Sequence, residues 1–205
     1  KSNRDRLWKK SFRTVTLMPL CYTKEALHRV LMKKQLVVTP KADGVRKLFL
    51  CERKTGAFYL IDSNSAKRVF HSAALNSSSN GFVLDTEVVQ SASGDTLVLA
   101  FDVVAASVAA SAYGGLYVPE TNILKRRKLL VKLVQLVTES VKAAAKSEEC
   151  LGETKGEMKG DNACTTLAVK EIANSAASAL SFLESNALPY PIDGLIFTPL
   201  NTNTR

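Results

Sequence analysis

Hydrophobic positions recur at two different periods along this chain, and the periods separate a strand-rich part from a helix-rich part. From Val37 onward, short apolar runs bounded by turn-forming residues predict strands. The runs are QLVVT, VRKLFLCE, AFYLID, GFVLDTEVV and TLVLAFDVV, with RKTG, SNSAKR and SASGD between them as turns. Because these connections are short, we expect antiparallel neighbours.

Helical spacing precedes and follows these strands. TKEALHRVLMKK, behind Thr23 as a cap, predicts a short amphipathic helix. NILKRRKLLVKLVQLVTESVKAAAK predicts a long packed helix behind Thr121 or Asn122. The helical period then resumes at Leu167, Ile172, Ala176, Leu180 and Leu183, and LPYPIDGLIFTP returns to strand. A run of strands followed by helices indicates an α+β domain built on antiparallel sheet.

Residues 143–165 break this order, because they are rich in Gly, Lys, Glu and Thr and have no sustained apolar period. We expect a mobile low-complexity insertion that carries no chemistry. The 205 residues, 46% hydrophobic and 23% charged, fit one globular domain with this insertion. The abrupt ends of the sequence suggest a domain cut from a longer protein.

The net charge of +9 points toward a polyanionic partner, such as nucleic acid or a nucleotide, while each basic cluster by itself fits a solvated face with no specific partner equally well. The basic residues crowd the N-terminus and form a second block at Lys125, Arg126, Arg127 and Lys128. Four dispersed cysteines without C-x-x-C favour free thiols over a zinc site or disulfides. No apolar run approaches the ~20 residues of a membrane span, so we expect an intracellular protein without membrane contact.

The stretch VVTPKADGVR interrupts an apolar run with charged residues. In an extended segment, Lys41 and Asp43 leave the same face, and Gly44 removes a Cβ so that backbone and ligand can approach. A strand, a polar turn and a second strand would give the same pattern.

Carboxylates interrupt two further apolar runs. Asp85 and Glu87 lie two positions apart in LDTEVV, and Asp193 precedes Gly194 in PIDGLIFTP. Ionised carboxylates on a core-facing strand are costly unless they are paired or bind a metal. Together with the lysine and aspartate of KADGVR, they would suit Mg²⁺ held between carboxylate and phosphate.

The motifs KADGVR, LDTEVV, FDVV and DGLIFTP, in this order, resemble those of the covalent nucleotidyltransferases, most closely the mRNA capping guanylyltransferases. The resemblance covers residues 16–199 apart from the insertion. ATP-dependent DNA ligases share K-x-D-G-x-R but usually carry Glu-Gly where this chain has Asp193-Gly194. The resemblance implies a nucleotidyltransferase fold over residues 1–205, with antiparallel sheets flanked by helices and a nucleotide cleft between them.

By this resemblance, Lys41 attacks the α-phosphate of GTP to form lysyl-GMP, and GMP then passes to the 5′ diphosphate end of RNA. The resemblance implies nucleotide contacts at Asp43, Gly44, Arg46, Glu87, Phe101, Asp193 and Gly194. Within that set, Arg46 would contact the sugar and Phe101 the purine. Glu87 would contact the ribose or the metal, and Asp193 the metal, which is Mg²⁺ or Mn²⁺. The implied partners are GTP, the 5′ end of nascent RNA and the transcription machinery, in the nucleus or, for a viral protein, the cytoplasm.

A nucleophilic lysine must be deprotonated, and the ordinary lysine pKa is about 10.4, so we expect a basic, partly dry pocket and a nearby metal to lower the pKa of Lys41 toward about 7. Two positions depart from the family pattern: Thr86 replaces a glycine, and Ser63 replaces an arginine for which Arg68 could substitute. The chain also ends before the expected lysine-rich closing motif and oligonucleotide-binding-fold domain. A ligase that attaches AMP to Lys41, and an inactive module that binds RNA ends, are the alternatives.

Overall fold

The structure, a computed structural model, describes residues 23, 25, 28, 36–52, 56–62, 65–71, 81–107, 116–117, 122–150, 165–184 and 188–200. Within these residues, strands β1 to β9 span Leu36–Ala42, Val45–Cys51, Ala57–Ile61, Ala66–His71, Phe82–Gln90, Thr96–Ser107, Leu116–Tyr117, Thr165–Val169 and Ile192–Pro199. Helices α1 and α2 span Ile123–Cys150 and Ala176–Leu180, and a 3₁₀ turn spans Ser181–Leu183. The α+β class predicted from the sequence is confirmed.

Two sheets carry the described part of the fold. The larger has the antiparallel order β4-β3-β2-β5-β6-β7, and β8 joins it parallel to β6. Strands β1 and β9 form a separate antiparallel ribbon. The predicted antiparallel arrangement is confirmed for β2 to β6. Strand β8 is the exception, because α1 lies between β7 and β8 and supplies the crossover that a parallel pairing requires.

Helix α1 begins with a side-chain cap. The Oδ1 of Asn122 accepts hydrogen bonds from the backbone N–H groups of Leu124 (3.0 Å) and Lys125 (3.3 Å). This confirms one of the two predicted caps, since the oxygen satisfies donors that have no partner within the helix. The apolar side of α1 packs on the larger sheet, with Leu130, Val134 and Val137 in the same core as Phe49, Phe58, Leu84 and Val98.

The two faces of the larger sheet pack against different parts of the chain. Along β6, Val98 and Ala100 belong to the core beneath α1, whereas Leu99 packs with Ala42 and Tyr190. Because successive side chains of a strand point to opposite faces, the end of β1 lies on the face opposite to α1. This second face is where the chemistry-bearing residues collect.

Two segments differ from the elements predicted for them. Of the predicted turn SNSAKR, residues 63 and 64 lie outside the described part of the chain, and the Asp62 carboxylate accepts the N–H of Ser65 at 2.8 Å. The chain from Ala66 onward forms β4 because it pairs with β3. The helix predicted through Leu167 is likewise wrong at its start: β8 occupies those residues, since they pair with an edge of β6 that the helical period could not reveal.

Regular structure extends into both ends of the predicted insertion. Helix α1 continues to Cys150, and Thr165 opens β8. Residues 151–164 lie outside the described part of the chain, so the remainder of the insertion stays a prediction. The predicted N-terminal helix behind Thr23 lies mainly outside it as well, although Glu25 and His28 are helical.

The structure bears on two further expectations, one about the cysteines and one about membrane spans. Cys51 is a free thiol buried in the core, and burial raises its pKa to about 11. The thiol therefore stays protonated and unreactive at neutral pH. Among the described residues, no helix has both the length and the apolar character needed to cross a membrane.

Gly44 is required by packing between strands. A Cβ at this position would lie 2.5 Å from the Cγ1 of Val89, 2.7 Å from the carbonyl oxygen of Val88 and 2.9 Å from the Cγ of Glu87. The sequence suggested that this glycine makes room for a ligand. In the structure, strand β5 occupies that room.

Replacing Gly44 by alanine is therefore expected to destabilise the fold by about 1–3 kcal/mol, because β5 backbone cannot move away without breaking its pairing. Chemical denaturation of Gly44→Ala measures this loss. The matched control is Asp43→Ala, at an exposed neighbouring position. Equal stability of the two variants would show that the turn adjusts freely.

Candidate functional site

Lys41 lies at an irregularity near the end of β1. The register of β1 against β9 shifts between Pro40 and Ala42, on either side of the lysine. Asp193 and Gly194 lie opposite on β9, and Gly194 has a φ of 131°, which glycine adopts without strain. The Nζ of Lys41 donates a hydrogen bond to the Oδ2 of Asp193. The ribbon thus joins the lysine of the first motif to the aspartate of the last.

Acidic neighbours surround the Lys41 amine. The hydrogen bond to Asp193 raises the pKa of Lys41, desolvation opposes this rise, and the charges of Asp193, Glu87 and Asp43 add to it. The lysine and aspartate side chains are 44% and 64% exposed. This differs from the expected basic, partly dry pocket. In this state Lys41 is an ammonium group, and attack by its amine requires relief from the surrounding negative charge.

Arg46 binds Asp85 across strands β2 and β5. The Nε of Arg46 donates to the Oδ1 of Asp85 at 2.8 Å, and its Nη2 donates to the Oδ2. Asp85 is 4% exposed, and burial raises its pKa while the Arg46 guanidinium opposes the rise. The arginine predicted to contact a nucleotide sugar is therefore held at two points, an arrangement that fixes the plane of its guanidinium.

Glu87 binds a lysine that the sequence analysis missed. The Nζ of Lys170 donates to the Oε2 of Glu87 at 2.6 Å, and the Lys170 side chain is 2% exposed. Lys170 follows β8 directly, and its backbone N–H donates to the carbonyl oxygen of Ala100. The sequence signal for Lys170 is a lysine at the end of an apolar strand, as for Lys41. It was missed because this segment was predicted to be helical.

Phe101 lies between the two cations. The Cζ of Arg46 and the Nζ of Lys170 are each 5.4 Å from the centroid of its ring. Cations are attracted to the negative face of an aromatic ring at such distances. One contiguous group is therefore formed by Phe101, Arg46, Glu87 and Lys170. The charge of Glu87, which raises the pKa of Lys41, links this group to Lys41.

Three residues are involved in the two departures from the family motifs, and they differ in where they lie relative to the site. Thr86 is fully buried, and its Oγ1 donates to the carbonyl oxygen of Lys47 at 2.7 Å, so the β2–β5 pairing accommodates the hydroxyl. Ser63 lies outside the described residues. Arg68 is exposed on β4, which β3 separates from β2, so the structure does not bring this arginine to the site.

The second basic block is not one surface. Lys125 and Lys128 are exposed on α1, whereas Arg126 is 4% exposed and binds Asp102 through two nitrogens, Nε at 2.7 Å and Nη2 at 3.0 Å. Burial lowers the pKa of Arg127, and the charge of Glu171 opposes this. Successive residues of a helix point in different directions, so these four consecutive basic residues divide between solvent and interior.

The carboxylates near Lys41 could supply only some of the ligands that a divalent cation needs. Among the residues that the structure describes, no three His, Cys, Asp or Glu side chains form a metal-binding group. However, Mg²⁺ is commonly bound by one or two carboxylates with substrate phosphates as the other ligands. Glu87 and Asp193 both act on the Lys41 amine, so this pair fits a cation that arrives with a phosphate.

Comparisons with models of known protein families and with curated protein sequences found no match to this chain.

Removal of the Asp193 charge is expected to lower the pKa of Lys41, because the hydrogen bond to Asp193 is the largest contribution that raises it. NMR titration of isotope-labelled lysine side chains in Asp193→Asn measures the change. An amine-selective acylating reagent should also modify Lys41 faster at a given pH. The control Asp62→Asn removes the partner of Lys47. An unchanged Lys41 titration in Asp193→Asn would contradict the proposed pairing.

Loss of the Lys170 charge is expected to destabilise the fold by about 3 kcal/mol, because Lys170→Met leaves the partly buried Glu87 without its cation. The double variant Lys170→Met, Glu87→Gln should recover most of this loss, since no uncompensated charge remains. Thermal and chemical unfolding of the single and double variants measure the difference. Additive losses in the double variant would show that the two side chains act independently.

Proposed function

We propose that this chain is the nucleotidyltransferase domain of an mRNA guanylyltransferase, which attaches GMP to Lys41 and transfers it to RNA. The observation that carries the proposal is the ion pair between Lys41 and Asp193, which unites motifs 152 positions apart. Glu87, from a third motif, acts on the same amine. The nucleotidyltransferase fold, with its cleft on the face opposite to α1, is part of this proposal.

The chemistry at Lys41 proceeds by nucleophilic attack. The amine loses its proton, the Nζ forms a bond to the α-phosphorus of GTP, and the bond from that phosphorus to the bridging oxygen breaks to release pyrophosphate. In the second step, the terminal phosphate oxygen of a 5′ diphosphate RNA end attacks the same phosphorus, and the Lys41 nitrogen leaves. The covalent intermediate divides one difficult transfer into two easier ones.

The acidic surroundings of Lys41 explain why this chemistry would depend on a divalent cation. Glu87 and Asp193 would hold Mg²⁺ or Mn²⁺, which when bound supplies positive charge to the carboxylates and the phosphates. Until that negative charge is offset, Asp193 holds the pKa of Lys41 above its ordinary value. Asp193 therefore orients the amine in the resting state and holds the charge that must be neutralised before attack.

The group around Phe101 supports nucleotide binding. An aromatic ring can stack on a purine, and the neighbouring Arg46 and Lys170 supply donors for sugar or phosphate oxygens. Arg46 is held by Asp85 and Lys170 by Glu87, so both cations are oriented before any ligand arrives. Donors that are fixed in advance need little reorganisation during the reaction.

RNA is the proposed second substrate, and the net charge of +9 supports a polyanionic partner. The exposed part of the second basic block reduces to Lys125 and Lys128, on the side of the sheet away from Lys41. These residues are suited to RNA beyond the reacting end or to the transcription machinery. The proposed place of action is the nucleus, or the cytoplasm for a viral protein.

The proposal is tested by incubating the full-length protein with Mg²⁺ and GTP or ATP labelled at the α-phosphate. We expect covalent label from GTP, acid-labile as a phosphoramidate is, and no label in Lys41→Ala or Lys41→Arg, because arginine keeps the charge but cannot act as the nucleophile. The matched control is Lys128→Arg, at an exposed lysine on the opposite face of the sheet.

Each other outcome has a definite meaning. Label from ATP instead of GTP identifies the adenylation domain of a polynucleotide ligase. A folded wild-type protein that takes no label from either nucleotide, but binds RNA ends, is an inactive binding module. Undiminished label in Lys41→Arg would place the nucleophile elsewhere.

A further inference from the structure

Phe101 is the extra residue of a β-bulge. In the pairing of β5 with β6, Asp85 lies opposite Asp102 and Thr86 lies opposite Ala100, so Phe101 has no partner of its own. A bulge bends its strand and changes the direction of the side chain at that position. The direction of the Phe101 ring therefore depends on how this irregularity is held.

A second irregularity follows at once. Leu84 pairs with Val103, whereas Val83 pairs with Ala105, so Val104 is skipped. Because Phe101 is an extra residue, Ala100 and Val103 both belong to the core beneath α1, and the extra Val104 likewise places Val103 and Ala106 in that core, which the strict alternation of a regular strand forbids. The stretch from Phe101 to Val104 departs from sheet geometry and needs support from outside the sheet.

Arg126 supplies this support from α1. Its Nε and Nη2 bind the two carboxylate oxygens of Asp102, and the Oδ1 of Asp102 also accepts the N–H of Val103 at 2.8 Å. The Arg126 side chain is 3% exposed. It lies in the first turn of α1, which Asn122 caps, so the clamp is anchored on a rigid element.

We infer that Arg126 is a positioning residue for nucleotide recognition: by clamping Asp102, it fixes the bulge that directs Phe101 toward Arg46 and Lys170. As far as the ligand is a purine nucleotide, the inference rests on the proposed function. Arg126 is 3% and Asp102 22% exposed, and such an ion pair is weak evidence of a stabilising role, since apolar side chains of similar volume are often as stable. A two-point clamp on the residue next to the aromatic instead specifies geometry.

The electrostatics support this assignment. The negative charge of Asp102 raises the pKa of Asp85. Arg126 binds Asp102 and offsets its charge, so it opposes this rise. Arg126 would thus stabilise two groups beside the nucleotide. It would act on the Phe101 ring through the bulge, and on Arg46 by offsetting the charge of Asp102.

The experiment places a fluorine label on phenylalanine, with the Phe101 signal assigned from Phe101→Leu. We expect the Phe101 resonance to shift and broaden in Arg126→Met. Arg126→Lys keeps the charge but loses the two-point contact, so it should show an intermediate change. The control is Lys128→Met, an exposed position on the same helix that should leave the resonance unmoved.

Kinetics separate positioning from a general loss of stability. In Arg126→Met, the KM for GTP in lysyl-GMP formation should rise about tenfold, with the rate at saturating GTP nearly unchanged. In a Phe101→Leu background, the same substitution should change KM much less, because the ring through which it acts is gone. Should Arg126→Met fail to fold, Arg126→Lys gives the same comparison.

A Phe101 resonance that stays unmoved in Arg126→Lys and Arg126→Met, or an equal KM effect in the Phe101→Leu background, would overturn the inference. Failure of the proposed function is distinguishable: the wild-type protein would then take no label from GTP, while the fluorine signal would still report whether Arg126 positions Phe101.

Discussion

Two carboxylates on the central strand β5 constrain most of the arrangement described above. Asp85 is 4% exposed and Glu87 faces the same side of the sheet, and burying an ionised carboxylate without a partner costs several kcal/mol. The neighbouring elements meet this constraint with Arg46 on β2 and Lys170 after β8. Because both cations also flank Phe101, the need to neutralise β5 creates the polar group around the ring.

The strand-rich part of the fold was predictable because its alternation of apolar and polar residues is local. Turn residues at Asp62 and Gly94 also mark boundaries that the structure keeps. The predictions failed where a segment takes its conformation from distant neighbours. Strand β8 has few local signals, and its conformation follows from the free edge of β6 and from the burial of Leu167 beneath α1.

The candidate site shows the same division. Lys41, Glu87 and Asp193 stand out as charges in apolar runs, so the sequence was sufficient to name them, and the structure brings their charges together. Lys170 and Arg126 could not be named in this way. Lys170 fell within a predicted helix and Arg126 within a basic run, and only tertiary packing shows that both are buried next to carboxylates. Charge in sequence does not reveal which cations face the interior.

The ion pair between Lys41 and Asp193 also has a consequence for biosynthesis. The ribbon that holds it pairs the first described strand with the last, across 152 positions. At about 5–20 residues per second, the ribosome makes Asp193 about 8 to 30 seconds after Lys41. During that interval β2 to β6 can assemble through short connections, whereas the lysine has no partner across the ribbon. A nascent chain therefore forms this ion pair after the strands of the larger sheet have been synthesised.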